Sequence, residues 1–171
     1  ADLEKRYGTD KRVTVHKGLS LDVLPKIKGE FDCILIDGDH NWYTVYNELK
    51  LIHEKKLLRD GGTIFLHDVG WPYGRRDLYY LPETIPAKFR HPYAQKGMER
   101  GKAKLLEEGG TSPELYNAVL EGGPRNGVLT AVEDFIGEHK NEYLFQTARR
   151  QFGLGIIMKK GGENTFTGFV K

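Results

Sequence analysis

Apolar and polar positions alternate along this chain in a way that spells out a strand–helix–strand unit. Residues 33–36 (CILI) form a continuous apolar run that ends in the acidic, glycine-containing turn DGDH. Unbroken apolar character predicts a strand buried on both faces, as in a parallel sheet. Trp42, Val45, Tyr46, Leu49 and Ile52 then follow at helical spacing and make one stripe. Asn41 or Asp39 suits the start of that helix, Lys55, Lys56 and Arg59 suit its negative end, and Gly61-Gly62 is expected to stop it. The segment TIFLHD, at 63–68, is a second buried strand with polar residues at its end. Such a unit is right-handed and brings both strand ends to one edge of the sheet.

Weaker patterns flank this core. Residues 1–11 look like the polar end of a helix and a turn at Gly8, and RVTVH at 12–16 alternates like a short strand. Leu19, Val23, Leu24 and Ile27 are spaced for one face of a short helix. From 69 to 123 regular patterning breaks down: five of the seven prolines lie here. Two short helices are expected within it, around 96–108 and 113–120, and an excursion of this length reads as an inserted lid or substrate region of a single domain. Beyond it, Pro124 suits the first turn of a helix whose stripe is Val128, Leu129, Val132, Phe135 and Ile136. EYLFQTA and FGLGIIMKK then predict an antiparallel hairpin. Its turn holds Arg149-Arg150, expected to be solvated.

Composition adds limits. The 171 residues, 39% hydrophobic, suffice for one core. A mean hydropathy of −0.54 with no long apolar run gives no membrane span. The mixed charge of 26 basic and 24 acidic residues gives no case for a nucleic-acid partner. The lone Cys33 reads as a small core residue, and a reducing, cytoplasmic setting fits.

Chemistry concentrates where the two buried strands end. Ligands bind at the carboxyl edge of an open α/β sheet. If the strands are neighbours, Asp37, Asp39 and His40 meet His67 and Asp68 in one crevice. Carboxylates that close repel one another, and a divalent cation, Mg²⁺ first and Mn²⁺ or Fe²⁺ as alternatives, would relieve them. Asp39 has a competing use as a helix cap. Trp71, Tyr73, Arg75 and Arg76 follow Asp68 directly, and aromatics interleaved with arginines suit a sugar-like or polyol substrate. A loop that packs its own aromatics explains them equally well.

The run FDCILIDGDHNWYTVYNELKLI…LLRDGGTIFLHD resembles the core of class I S-adenosylmethionine-dependent methyltransferases, in particular the cephalosporin-hydroxylase-like and macrolide-sugar O-methyltransferase-like group. The resemblance covers about 12–68 and 122–160. It implies a Rossmann-like α/β sheet of order 3-2-1-4-5-7-6, with parallel strands and a C-terminal antiparallel hairpin. It also implies that Asp37 and Asp68 ligate the metal, that His67 ligates or lines the site, and that His40 is general base. Gly18, Leu19 and Ser20, with Asp37, would hold S-adenosylmethionine. The activity implied is metal-assisted O-methylation of a small hydroxylated molecule. Competing readings are a non-catalytic remnant of the fold and a metal-dependent hydroxylase-like enzyme. The family's first two strands have no counterpart in these residues. The 12–16 strand is therefore expected either beside 33–36 or outside the sheet, and the bare edge at 33–36 is expected to mean an N-terminally truncated fragment of a longer protein, or an edge covered by another copy or a rearranged strand.

Overall fold

In the computed structural model, which describes residues 3–148 and 151–161, one sheet carries the functional edge. After α1 (Leu3–Tyr7) and the short α2 (Ser20–Val23), β1 (Phe31–Ile36) leads into α3 (Trp42–Glu54) and β2 (Leu58–His67). The insertion holds β3 (Leu78–Tyr79), β4 (Tyr93–Gln95) and β5 (Tyr116–Ala118). Then come α4 (Val128–Glu138), β6 (Tyr143–Ala148) and β7 (Leu154–Lys159). The main sheet runs β1-β2-β7-β6, with β1 and β2 parallel and β7 antiparallel to both β2 and β6. This is the order 4-5-7-6 implied by the resemblance. Residues 12–16 form no strand, the second of the two outcomes expected of them. An isolated extended segment has no ladder of hydrogen bonds to hold it. Arg149 and Arg150 lie outside the described residues.

α3 and α4 cover one face of the sheet. Val45, Leu49 and Ile52 from α3 and Val128, Ala131, Val132 and Phe135 from α4 bury against Ile64, Leu66 and Ile157. The other face is open along β1 and β6, while Thr63 and Met158 at its centre are buried. Cys33 aligns with Thr63, and Leu35 with Phe65, on that side of the pleat. Leu35 is 67% exposed, Leu144 is 42% exposed and Cys33 is exposed. The expectation of a strand buried on both faces, with Cys33 in the core, is therefore corrected. An apolar run records the side chains available, whereas burial needs a second layer, which the exposed Cys33 and Leu35 lack.

Local chemistry moves several boundaries. α3 ends at Glu54 rather than at Gly61-Gly62, because Lys56 adopts a left-handed φ of 54° and the Leu57 amide bonds back to the Ile52 carbonyl at 2.9 Å. The two glycines fall inside β2, beside a register shift between Phe31 and Cys33. α4 begins at Val128, not near Pro124. Its N-cap is Gly127 at φ 89°, where a Cβ would meet the Arg76 nitrogen at 2.5 Å.

Neither helix expected in the insertion forms. Residues 96–120 instead make isolated bridges, Met98–Thr111 and Lys104–Leu120, and the strand β5 at the centre of an antiparallel β3-β5-β4 sheet. Buried Asn117 explains the choice. Its amide nitrogen donates to the carbonyls of Lys96, Ser112 and Leu115, tying loop backbone that a helix would have satisfied internally.

One carboxylate joins insertion, helices and sheet edge. Asp77, fully buried, accepts from the Trp42 amide at the start of α3 (2.7 Å), from the Gly127 amide at the start of α4 (2.7 Å) and from the Tyr79 hydroxyl (2.8 Å). Burial pushes its pKa up, and these three donors oppose the shift. Both helix N-termini favour negative charge at this point.

Two predictions follow from this architecture. Asp77→Ala leaves three buried donors unpaired and is expected to cost about 3 kcal/mol or more in chemical denaturation. Asp77→Asn is expected to recover only part of that loss, because its amide group faces N–H and O–H donors. For the open sheet face, Cys33 is expected to react completely with a thiol reagent under native conditions; protection until denaturant is added would show that face to be covered.

Candidate active site at the carboxyl edge of the sheet

The parallel register pairs Ile36 with Leu66, so the DGDH turn and the His67-Asp68 pair leave the sheet side by side. Asp68 has a left-handed φ of 57°, a conformation unusual outside glycine and characteristic of functional positions. Its Oδ2 lies 2.8 Å from His40 Nε2 and 2.9 Å from His67 Nδ1. Asp37 Oδ1 lies 3.4 Å from His67 Nδ1 and 3.6 Å from His40 Nε2. The donor atoms of Asp37, His40, His67 and Asp68 all fall within 4.8 Å of one another. His40 and Asp68 are buried, while Asp37 and His67 are half-exposed, so the cluster opens to solvent on one side.

Charge is tightly coupled here. Burial acts to lower the His40 pKa, but Asp68 first, then Asp37 and Asp39, outweigh it and hold it above the ordinary imidazole value. Burial likewise acts to raise Asp68, and the two imidazoles overcome it, leaving the carboxyl below its usual range. The His40–Asp68 contact is close, yet His40 Nε2 has no well-aligned hydrogen-bond partner. Two carboxylates and two imidazoles whose donor atoms converge are a donor set for a divalent cation, so these residues fit one.

Tyr73 stacks on His40 at a centroid distance of 5.8 Å, and Tyr80 meets it edge-on at 5.9 Å. The Tyr80 hydroxyl lies 3.4 Å from His40 Nδ1. Burial, and then the neighbouring carboxylates, push the Tyr80 pKa up and keep it a phenol. Asp39 stays out of the cluster: it accepts from the Thr44 hydroxyl at 2.8 Å, while Asn41 caps α3 through the Thr44 amide at 2.9 Å. Of the residues expected to hold substrate, Tyr73 alone touches the cluster. Trp71 joins a small separate core with Tyr73, Leu78 and Met98, and the Arg100 guanidinium lies over its ring. Arg75 is committed to a bidentate pair with Glu133 on α4, at 2.5 and 2.6 Å. Arg76 is fully buried and donates to the carbonyls of Ala118 and Ala103. The structure uses both arginines as struts of the insertion, which corrects their expected role toward substrate.

Beside the cluster lies a cavity of about 590 Å³, walled by Gly18, Leu19 and Ser20 on one side and by Asp39, Thr44 and Tyr80 on the other. The three residues expected to contact the methyl donor therefore line one space next to the cluster. Glu48 also lines it, buried, with Oε2 lacking a partner. Burial lifts its pKa to about 7, against a hydrogen bond with Ser20. Sequence reasoning passed over Glu48, yet a signal was present: it is the one acidic residue next to Val45, Leu49 and Ile52 on the buried face of α3.

The sign of the Glu48 effect on stability is fixed by which state keeps the proton. Between about 4.5 and about 7 the folded protein holds it and the unfolded chain releases it. Stability should therefore fall as pH rises through that window, by at most about 1.4 kcal/mol per pH unit. Denaturation curves from pH 4.5 to 8 are expected to show this fall in the natural protein and not in Glu48→Gln.

Comparisons with known proteins agree with this geometry. Residues 2–69 match the family model described as a methyltransferase domain. An O-methyltransferase, hkm8, from Aspergillus hancockii is 36% identical over 72 residues, covering 40% of this chain and 28% of that protein. The crystal structure of the SAH-bound Podospora anserina methyltransferase PaMTH1 superposes with a TM-score of 0.51 at 18% identity, covering 94% of this chain and 53% of that one, which shows a shared fold. The chain thus spans about a quarter of the curated relative and about half of the structural one. No helix among the described residues is long and apolar enough to cross a membrane. The segment that carries Asp37, His40, His67 and Asp68 is thus matched by the methyltransferase-domain model, and the sheet shares its fold with a methyltransferase structure.

Proposed function

We propose that this chain carries the acceptor-activating half of an O-methyltransferase site, in which a hydroxyl of a small molecule is methylated over the Asp37/His67 face of the cluster. The observation that carries the reading is the convergence of Asp37, His40, His67 and Asp68 next to a cavity that Gly18, Leu19 and Ser20 line together with Gly38 and Asp39 of the same turn. That cavity has the size of a small-molecule site and would take the adenosine part of S-adenosylmethionine.

Asp37, His67 and Asp68 would hold the cation. An imidazole beside two carboxylates favours Mn²⁺ or Fe²⁺ over Mg²⁺. When bound, it would lower the pKa of the acceptor hydroxyl and fix its direction. The remaining work falls to the chain. The hydroxyl oxygen attacks the methyl carbon, the carbon–sulfur bond breaks, and the hydroxyl proton must be taken up. His40 Nε2 is placed to accept that proton, and Asp68 and Asp37 stabilise the imidazolium formed. Tyr73 and Tyr80 hold the imidazole plane. The half-exposed Asp37 and His67 leave an approach for an acceptor. A sugar or another polyol is the acceptor class we retain, on the aromatic wall alone.

Calorimetric titration of S-adenosylmethionine, with and without Mn²⁺ or Mg²⁺, into this chain and into one extended ahead of Ala1 tests the reading. Donor binding to either chain supports it; binding to neither overturns it. In whichever chain methylates, Asp68→Asn is expected to lower kcat by about 10²-fold or more while donor affinity changes little. Equal loss in donor affinity and kcat would make Asp68 a structural residue only.

A further inference from the structure

A second group of potential ligands lies at the other end of α3, apart from the carboxyl-edge cluster and from the cavity beside it. His53 occupies the last turn of α3, His139 is the C-cap of α4, and Glu142 stands in the turn that leads into β6. Packing of α3 against α4 brings the three together, although they span 90 positions of sequence. Their donor atoms all lie within 4.8 Å of one another. Glu142 spans the two imidazoles, with Oε1 3.3 Å from His139 Nδ1 and Oε2 3.8 Å from His53 Nδ1. The two rings lie 4.1 Å apart between centroids, tilted by 43°. Tyr143, at the start of β6, places its hydroxyl 3.1 Å from His53 Nδ1.

We propose that His53, His139 and Glu142 form a site for a zinc-class divalent transition-metal ion that clasps the ends of α3 and α4 to the start of β6. Three observations converge on it. First, two imidazoles and one carboxylate are a ligand set for zinc with one position left open, and ligands about 2.1 Å from a tetrahedral ion stand roughly 3.4 Å from each other. The Glu142 distances of 3.3 and 3.8 Å bracket that spacing before any adjustment. Second, both helices point their carbonyl ends here, where partial negative charge favours a cation. α4 has no basic residue in its last turn, and its final residue is Glu138. Third, the donors are reachable: His53 and Glu142 line a cavity of about 500 Å³ that Glu30, Glu54 and Asp60 also line. Lys159 holds Asp60 at 2.9 Å, and Lys56 lines the same cavity. The neighbouring Tyr143 hydroxyl, 3.1 Å from His53 Nδ1, would steer the His53 ring rather than ligate.

This site is independent of the methyltransferase reading, and the test keeps the two apart. Zn²⁺, and Co²⁺ as a coloured substitute, are titrated into the full chain, into Asp68→Asn to disable the carboxyl-edge cluster, and into His139→Ala and Glu142→Gln in that background. One equivalent of metal is expected to survive Asp68→Asn, with visible Co²⁺ absorption of a low-coordinate nitrogen–oxygen site. His139→Ala is expected to remove it, and Glu142→Gln to weaken it at least tenfold. A saturating excess of Zn²⁺ is expected to raise Tm by about 5 °C in the natural protein and in Asp68→Asn, and not in the rim variants. Glu142→Gln keeps the test open should His139→Ala fail to fold, as judged by metal-free circular dichroism. Loss of all binding in Asp68→Asn, or unchanged stoichiometry and spectrum in the folded rim variants, overturns the proposal.

Discussion

The architecture hangs on the Asp77 carboxylate. Three buried donors from three separate elements converge on its two oxygens: the first amide of α3, the N-cap amide of α4 and a tyrosine hydroxyl of the insertion. Each helix start leaves amides without intrahelical partners, and a single anion answers one in each helix. The Asp77 backbone takes part as well, donating to Asn126 Oδ1 and accepting from the Ala118 amide. An insertion of this length would otherwise be free to move over the site. Here it is fastened at the point where it passes the sheet edge, and residues 96–120 hang from that point through Arg76 and Asn117.

This fastening reaches the chemistry within one residue. Leu78, next to Asp77, donates its amide to the His40 carbonyl at 3.1 Å, in an isolated bridge to the DGDH turn. The turn cannot shift without the insertion, and Tyr73 and Tyr80 are held against the His40 ring by the same segment. Opposing electrostatic pulls then settle the cluster. Desolvation alone would favour neutral His40 and neutral Asp68, and their mutual charge reverses both preferences. The left-handed turn at Asp68 is the conformational cost of bringing that carboxylate back over the strand end.

The sheet itself is lopsided. One face is closed by two amphipathic helices, and the other shows Cys33, Leu35 and Leu144 to solvent. β1 lies at the sheet's edge, and among the described residues no strand pairs with its outer side. The strand order implied by the resemblance continues beyond that edge, where the described residues supply no strand.

Periodicity by itself determined the strand–helix–strand core, the stripes of α3 and α4 and the terminal hairpin, because each depends on side-chain spacing within one element. It also determined that Asp37, His40, His67 and Asp68 meet, since a right-handed parallel crossover leaves the ends of neighbouring strands no other place. Tertiary structure alone decided the rest. Cys33 is exposed because burial is a property of the second layer, not of the strand. Arg75 and Arg76 serve as struts because Glu133 and two loop carbonyls lie in reach only after the insertion folds. Asp77, an unremarked acid in a polar loop, becomes the common anchor because three donors distant in sequence converge on it, and no local pattern encodes such a convergence.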